Sequence, residues 1–157
     1  DTVLEANETF NVALGTPSNA GVTLADGNAV GTITNDDSAS IAIGDRTLAE
    51  GNAGTTAFSF TVALTGAVQG GFTVAFATND GTATTANNDY VDNDGSLVFT
   101  GTAGEIKTFT VNVNGDLAIE TDETYTATLG AFTGAPAGVT TSGSPQTATI
   151  TSSHCTT

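Results

Sequence analysis

Apolar and polar residues alternate along most of this chain. In the segment 57–65, phenylalanine, valine and leucine occupy every second position, and the same period recurs in 71–78, 105–113 and 124–131. A period of two buries one face of a strand and leaves the other in water. No stretch keeps its apolar residues at the three- and four-residue spacing of a helix. The pattern therefore predicts an all-β protein.

Glycine, asparagine and aspartate separate these runs, and they are the residues that favour tight turns. Seven strands are predicted in the main part of the chain: 40–48, 57–65, 71–78, 95–100, 105–113, 124–131 and 146–151. Many short strands with regular turn signals are typical of an immunoglobulin-like antiparallel β-sandwich. Two earlier strands, 9–14 and 29–34, are predicted to form a hairpin. A lone hairpin is marginal in water, so this one needs partner strands from elsewhere.

An acidic phrase occurs twice in the sequence. Residues 1–15 and 116–130 align without a gap, 115 positions apart, and each copy runs into an alternating strand. Later, the Thr-Ile-Thr segment 32–34 is repeated at 149–151. A repeat of this length indicates tandem copies of one structural unit.

The repeat divides the chain into three parts. Residues 1–37 are expected to be the last two strands of one module, 38–151 a complete module, and 152–157 a tail. Because the sequence begins within the repeated phrase, we interpret it as a piece of a longer protein.

Net charge narrows the choice of partners. The chain has 17 acidic residues against 2 lysines and arginines, a formal net charge of −15. Nucleic acid is a poor partner, because its phosphates need lysine and arginine to neutralise them. Anionic membrane surfaces are disfavoured by the same repulsion, and no apolar run is long enough to be inserted in a membrane. Bound cations would relieve the repulsion.

The repeated phrase concentrates carboxylates at the entrance to a strand. One interpretation is a solvated turn that keeps the protein soluble. The other is a site for a hard cation such as calcium, which prefers oxygen ligands. Clustering like charges is costly unless a cation neutralises them. On the residues alone, the two interpretations have equal weight.

Four features, taken together, resemble Calx-beta domains, the tandem calcium-binding sandwiches of sodium–calcium exchangers and many bacterial surface proteins. They are Ala49-Glu50-Gly51, the segment Asp80-Gly-Thr-Ala followed by Asn88-Asp89-Tyr90, the acidic phrase, and the Thr-Ile-Thr-Asn-Asp-Asp ending of residues 32–37. The resemblance covers residues 1–151. It implies a Calx-beta type sandwich that binds calcium.

The resemblance also implies which residues ligate calcium. In the complete module they are Glu50, Asp89, Asp116 and Glu120. In the partial module they are Asp1, Glu5, Asp36 and Asp37. One departure weakens the expectation for the complete module, because it ends in Ser152-Ser153-His154 where the first copy has Asn-Asp-Asp, and calcium gains affinity from ligand charge.

No arrangement of residues indicates an enzyme. His154 and Cys155 are adjacent near a terminus, without the held geometry and orienting group that a catalytic pair needs. Cys155 is the single cysteine, and it is predicted to be either a free thiol or one half of an intermolecular disulfide.

The function that we favour on these grounds is structural. The chain is expected to be an extracellular or cell-surface repeat unit that packs head to tail against identical modules, in an adhesin or a filament. Calcium at the joint, held by the partial module's ligands, would stiffen the rod. One alternative is a calcium-sensing regulatory module of a larger membrane or secreted protein. Another is an accessory module of a secreted hydrolase.

Overall fold

A computed structural model describes residues 1–153, and its regular structure consists entirely of strands. None of these residues forms a helix that could cross a membrane. His154 and Cys155 lie outside the described residues, and with them the prediction that Cys155 is either a free thiol or one half of an intermolecular disulfide. The strands are β1 (Val3–Leu4), β2 (Glu8–Ala13), β3 (Asn28–Ile33), β4 (Ala39–Ile43), β5 (Arg46–Ala49), β6 (Gly54–Thr65), β7 (Ala67–Val68), β8 (Phe72–Asp80), β9 (Gly95–Phe99), β10 (Ile106–Gly115), β11 (Glu123–Thr133), β12 (Val139–Ser142) and β13 (Gln146–Thr151).

Two sheets form the sandwich of the complete module. One has the order β10-β6-β4-β12, and the other has the order β5-β13-β11-β8-β9. Their inner faces meet in an aromatic core. The rings of Phe76 and Phe109 stack with centroids 4.2 Å apart, and Phe60 meets Tyr125 edge-on at 6.3 Å. The predicted immunoglobulin-like β-sandwich is therefore confirmed.

Strand β6 illustrates why the alternation predicts this architecture. Phe58, Phe60 and Val62 are buried, whereas Ser59 and Thr61 between them are exposed. Fully burying such side chains contributes about 1.5–3 kcal/mol each. The buried face of β6 therefore supplies much of the stabilisation of its sheet.

The prediction of one continuous strand over 40–48 is wrong. The structure breaks it at Gly44 and Asp45 into β4 and β5, which belong to different sheets. The Asp45 carboxylate accepts a hydrogen bond from the Thr147 backbone N–H at 3.0 Å, which holds the crossing against β13. As a result β4 pairs in parallel with β12, and β5 pairs in parallel with β13.

The predicted early hairpin is present as β2 and β3, which pair with each other alone. Glu8 lies opposite Ile33, just as Glu123 lies opposite Ile150 in the pairing of β11 with β13. The hairpin therefore has the same register as the β11–β13 pair of the complete module.

The apolar side chains of this hairpin remain in solvent. Phe10, Val12 and Leu14 are about half exposed or more. In the complete module the positions 115 residues later are Tyr125, Ala127 and Leu129, and all three are buried. The difference is the opposing sheet, which covers only the second set.

A short parallel strand joins the first copy to the complete module. Val3 and Leu4 of β1 pair with Ala67 and Val68 of β7, and the Gln69 N–H donates to the Leu4 carbonyl at 3.0 Å. The Leu4 side chain is only 1% exposed. Gly138 makes room for it, since a Cβ there would lie 3.2 Å from Leu4 Cδ1. We call this groove, formed by residues 67–69 and Gly138, the Leu4 seat.

Candidate metal centre

A polar cleft of about 260 Å³ opens at one end of the complete module. It is lined by Glu50, Asn87, Asn88, Asp89, Asn114, Gly115, Asp116 and Glu120. All four carboxylates predicted as ligands for the complete module are among these residues. Three of them, Glu50, Asp116 and Glu120, each offer a carboxylate oxygen within 4.8 Å of the other two.

Glu50 comes from the end of β5 and is buried, with 5% of its surface exposed. Its backbone N–H donates to the Thr151 carbonyl at 3.2 Å, which ties this position to the last strand. Its side-chain Oε1 accepts from the Ser153 N–H at 3.3 Å, and the Ser153 hydroxyl accepts from the Gly51 N–H at 2.8 Å. No ion pair to Glu50 is found among residues 1–153. A buried carboxylate without such a partner is costly, so Glu50 gains most from a bound cation.

Asp89 lies in the loop that precedes the bridge between Tyr90 and Val113. Its Oδ2 accepts from the Thr84 N–H at 2.7 Å, and its carbonyl accepts from the Asn114 N–H at 2.9 Å. These contacts fasten the loop to the end of β10. They fix the position of Asp89 at the edge of the cleft.

Asp116 and Glu120 belong to the loop between β10 and β11. The Asp116 carboxylate accepts from the Ala118 N–H at 2.7 Å, which closes a tight turn at the start of the loop. Just before it, the backbone of Gly115 passes so close to the Gly51 carbonyl that a Cβ would collide with it. This close approach brings the loop alongside Glu50.

The electrostatics of the cleft show uncompensated negative charge. The pKa of Glu120 is raised by burial and by the neighbouring charges of Asp116, Glu50 and Asp89. The pKa of Glu123, at the start of β11, is raised by burial and then by Asp89 and Glu120.

No basic side chain relieves this charge in the part of the chain that the structure describes. The ion pair found there joins Lys107 to Glu105 at 2.8 Å, and neither Lys107 nor Arg46 pairs with a carboxylate of the cleft. A cation is thus the charge that the site lacks.

Calcium fits the donor set. It takes six to eight oxygen ligands at about 2.3–2.6 Å, so two oxygens on opposite sides of the ion are up to about 5 Å apart. The 4.8 Å limit on Glu50, Asp116 and Glu120 meets this requirement. Carboxylates and asparagine carbonyls of the lining are the oxygen donors that calcium prefers over softer ligands.

The predicted ligands of the partial module are arranged differently. Asp1 closes the same turn as Asp116, because its carboxylate accepts from the Val3 N–H at 3.0 Å. The Glu5 N–H donates to the Asn35 side chain at 3.2 Å, which brings the phrase close to Asp36 and Asp37. Among residues 1–153, however, the group of three such oxygens within 4.8 Å is the one in the complete module. A junction site on Asp1, Glu5, Asp36 and Asp37 stays a prediction.

The substitution at the end of the complete module has a structural counterpart. Ser153 occupies the position of Asp36 in the repeat, and it contacts Glu50 and Gly51 rather than adding a carboxylate. The Ser152 N–H donates to Asp122 at 3.4 Å. The Ser153 hydroxyl therefore satisfies a backbone N–H of the site without adding a negative charge.

Sequence reasoning did not include the asparagines of the cleft. Asn87 and Asn88 line it beside Asp89, and Asn114 enters from β10. The Asn114 side-chain NH₂ donates to the Asn88 carbonyl at 2.7 Å, so that its amide oxygen remains an acceptor. Asn88 also has a positive φ of 67°, a conformation that asparagine tolerates. The Asn-Asn-Asp run before Tyr90 is the sequence feature that could have indicated Asn87 and Asn88, since it places them next to a predicted ligand.

Three solved structures share the fold. The apo-form Calx CBD1 domain has a TM-score of 0.62 at 24% identity, covering 75% of this chain and 100% of that one. CBD12 from CALX1.2 has a TM-score of 0.60 at 25% identity, covering 72% of this chain and 45% of that one. The calcium binding domain CBD12 of CALX1.1 has a TM-score of 0.58 at 25% identity, covering 71% and 44%. This chain thus spans less than half of both CBD12 structures.

A search of curated proteins finds no match to this chain. The sequence model of the Calx-beta domain, by contrast, matches residues 1–46 and again residues 34–154. The two matches overlap near the end of the first copy and together account for nearly the whole sequence. The chain therefore belongs to the Calx-beta domain family.

Proposed function

We propose that this chain binds calcium at the cleft formed by Glu50, Asp116 and Glu120. The observation that carries the proposal is the convergence of three carboxylates, one of them buried, with which no lysine or arginine of residues 1–153 forms an ion pair. Asp89 and the asparagine carbonyls complete the oxygen set. Membership of the Calx-beta family, and the likeness to a structure described as a calcium binding domain, support the same choice of ion.

Binding calorimetry tests this proposal directly. Calcium is expected to bind the wild-type chain, and Glu50→Gln is expected to weaken binding at least about tenfold, because it removes the buried charge from the site. Glu8→Gln makes the same change at an exposed position outside the cleft and is expected to bind as the wild type does. Equal binding by the wild type and Glu50→Gln would rule out this cleft.

The role that we propose for calcium is structural. In this proposal, modules of this kind form an extracellular or cell-surface rod, as part of an adhesin or a filament. The support is the contact between the two copies. Strand β1 belongs to the acidic phrase of the first copy, and it pairs with β7 of the complete module, where Leu4 is buried in the Leu4 seat. A strand shared across the joint limits bending. Calcium held by the carboxylates predicted at this joint, those of Asp1, Glu5, Asp36 and Asp37, would limit bending further.

A calcium-sensing regulatory module is the second candidate, favoured by the fold shared with the CBD12 structures. Affinity separates the two roles. Among EF-hand proteins, sensors bind calcium with a Kd of about 10⁻⁷–10⁻⁵ M and extracellular modules with a Kd of about 10⁻⁴–10⁻³ M, and we use these ranges as a guide. Because Ser153 stands where the other copy has a carboxylate, we expect the weaker range. Micromolar or tighter binding would favour the sensor.

A further inference from the structure

Two residues of the repeated phrase have opposite surroundings. Leu4 and Ile119 occupy the same position of the repeat, 115 residues apart. Each directly precedes a glutamate, Glu5 or Glu120. Leu4 is 1% exposed and Ile119 is 65% exposed. Exposed apolar residues are common on protein surfaces. Ile119 differs from most of them because the equivalent residue of the other copy, Leu4, is buried in the Leu4 seat.

The local geometry of the two copies agrees up to this position. In the first copy the Val3 N–H donates to Asp1, and in the second the Ala118 N–H donates to Asp116. After this shared turn the first copy pairs as β1 with β7. The second copy reaches the same point with its isoleucine in solvent, beside Leu117, which is 72% exposed.

We propose that Ile119 is a docking residue for the Leu4 seat of a second copy of this module. In that joint, residues 118–119 add as a parallel strand to residues 67–68 of the second copy, and Ile119 fills the space beside its Gly138. Isoleucine and leucine have nearly the same volume, so the exchange suits the seat. The inference builds on the proposed function, because it names the partner surface of the rod.

The seat is suited to receive such a strand. Val68 is buried at 3% exposure, and its N–H is already satisfied by the Gly101 carbonyl at 2.8 Å. The Gln69 N–H is the group that points to the incoming strand, since it donates to Leu4. Main-chain pairing gives affinity in such strand addition, and the single side chain in its pocket gives specificity.

The position of Ile119 links docking to the metal site. It lies between Asp116 and Glu120, two members of the carboxylate group. A calcium ion bound by both would hold the loop in one conformation and lower the entropy lost on docking. Docking is therefore expected to be tighter in calcium than in chelator.

Nuclear magnetic resonance titration between two full-length variants tests the joint. The acceptor is Leu4→Asp/Ile119→Asp, which empties its own seat and removes its own docking residue. The donor is the wild type, whose seat is filled. Amide shifts at Ala67, Val68 and Gly138 of the labelled acceptor are expected on adding donor in calcium.

Matched donors identify the residue responsible. Ile119→Asp is expected to bind at least about tenfold more weakly, because the buried side chain is lost. Ile106→Asp makes the same change at an isoleucine that is 60% exposed elsewhere, and it is expected to bind like the wild type. If Leu4→Asp prevents folding of the acceptor, Leu4→Ala/Ile119→Asp replaces it, since it empties the seat without adding a charge.

The outcomes separate the docking from the calcium site. Absence of shifts at the seat of a folded acceptor overturns the docking proposal, and so does binding that is indifferent to Ile119→Asp. A Glu50→Gln donor keeps Ile119, so it is expected to dock equally with and without calcium. If calorimetry detects no calcium binding while docking still depends on Ile119, the metal proposal fails and the docking proposal stands.

Discussion

The rings of Tyr90 and Tyr125 are stacked in the core, with centroids 4.5 Å apart, but their hydroxyl groups differ. The Tyr90 hydroxyl donates to the Asp80 carboxylate at 2.7 Å. The Tyr125 hydroxyl is buried and has no hydrogen-bond partner among the described residues. A buried polar group without a partner costs about 1–3 kcal/mol. The first copy of the repeat has phenylalanine, Phe10, at the position of Tyr125.

Opposite effects are therefore expected from one conservative change at these two positions. Tyr125→Phe should raise the free energy of unfolding by about 1 kcal/mol, because it removes the unpaired hydroxyl and keeps the ring. Tyr90→Phe should lower it by about 1 kcal/mol, because it removes a charge-assisted hydrogen bond. Urea unfolding at neutral pH measures both. A loss of stability in Tyr125→Phe would mean that its hydroxyl has a partner, such as an ordered water.

The bond to Tyr90 also predicts a pH effect. It is the main reason that the pKa of Asp80 lies below its ordinary value of 3.8, and the Thr85 N–H adds to it. A lowered pKa in the folded state stabilises the protein above the unfolded value, and this contribution is lost as the pH falls through the folded value. The stability deficit of Tyr90→Phe should therefore shrink below about pH 4.

The same variant gives a direct measurement. In Tyr90→Phe the pKa of Asp80 should rise toward its ordinary value, as followed by the carboxyl carbon shift in a pH titration. Tyr125→Phe is the control, because its hydroxyl does not contact Asp80 and the pKa should stay where it is. An unchanged Asp80 pKa in Tyr90→Phe would assign the shift to Thr85 instead.

The joint between the copies should contribute to stability. Leu4→Ala is expected to lower the free energy of unfolding by about 2–3 kcal/mol, because it leaves a cavity in the Leu4 seat. Leu14→Ala removes the same atoms from a side chain that is 61% exposed, and it should change stability by less than about 0.5 kcal/mol. Denaturant unfolding of the two variants, compared with the wild type, checks the difference. Equal effects would mean that the seat does not hold β1 in solution.

Gly115 should matter to the cleft through its backbone. Gly115→Ala is expected to cost about 1–3 kcal/mol, because the new Cβ collides with the Gly51 carbonyl. It should also weaken calcium binding in calorimetry, since Glu50 would move away from Asp116. Gly130→Ala is the control, as its Cβ would make an ordinary 3.5 Å contact with Ala75. Wild-type calcium affinity in Gly115→Ala would show that the cleft tolerates this shift.

The sequence predicted those features that depend on local periodicity. Alternation located β6, β8, β10 and β11, because burial of one face leaves a period of two. The break at Gly44-Asp45 was missed, although the alternation of β4 does not continue into β5, where only Leu48 is partly buried. Strand β12 was missed because Val139–Ser142 is largely polar and exposed. Pairing of Val3-Leu4 with β7 depends on a partner over 60 positions away, which local pattern does not register.

The candidate metal site was predictable for a different reason. Glu50 and Asp89 are 39 positions apart and belong to separate loops, and no spacing rule joins them to Asp116. The resemblance to Calx-beta domains named them together, and the structure brings them to one cleft. What the resemblance did not supply was the role of Ser153, which depends on hydrogen bonds formed only after β13 lies against β5.

The parallel pairing of β5 with β13 has a mechanical consequence. The first of these strands lies near the start of the complete module and the second is its last strand. When the module is pulled by its two ends, neighbouring parallel strands are drawn in opposite directions along their length. The hydrogen bonds between them are then loaded in shear and must break together, rather than one after another as in a hairpin opened from its end. The pairing of β4 with β12 is also parallel. Each sheet thus contains one parallel pair of strands whose backbone hydrogen bonds resist tension in shear.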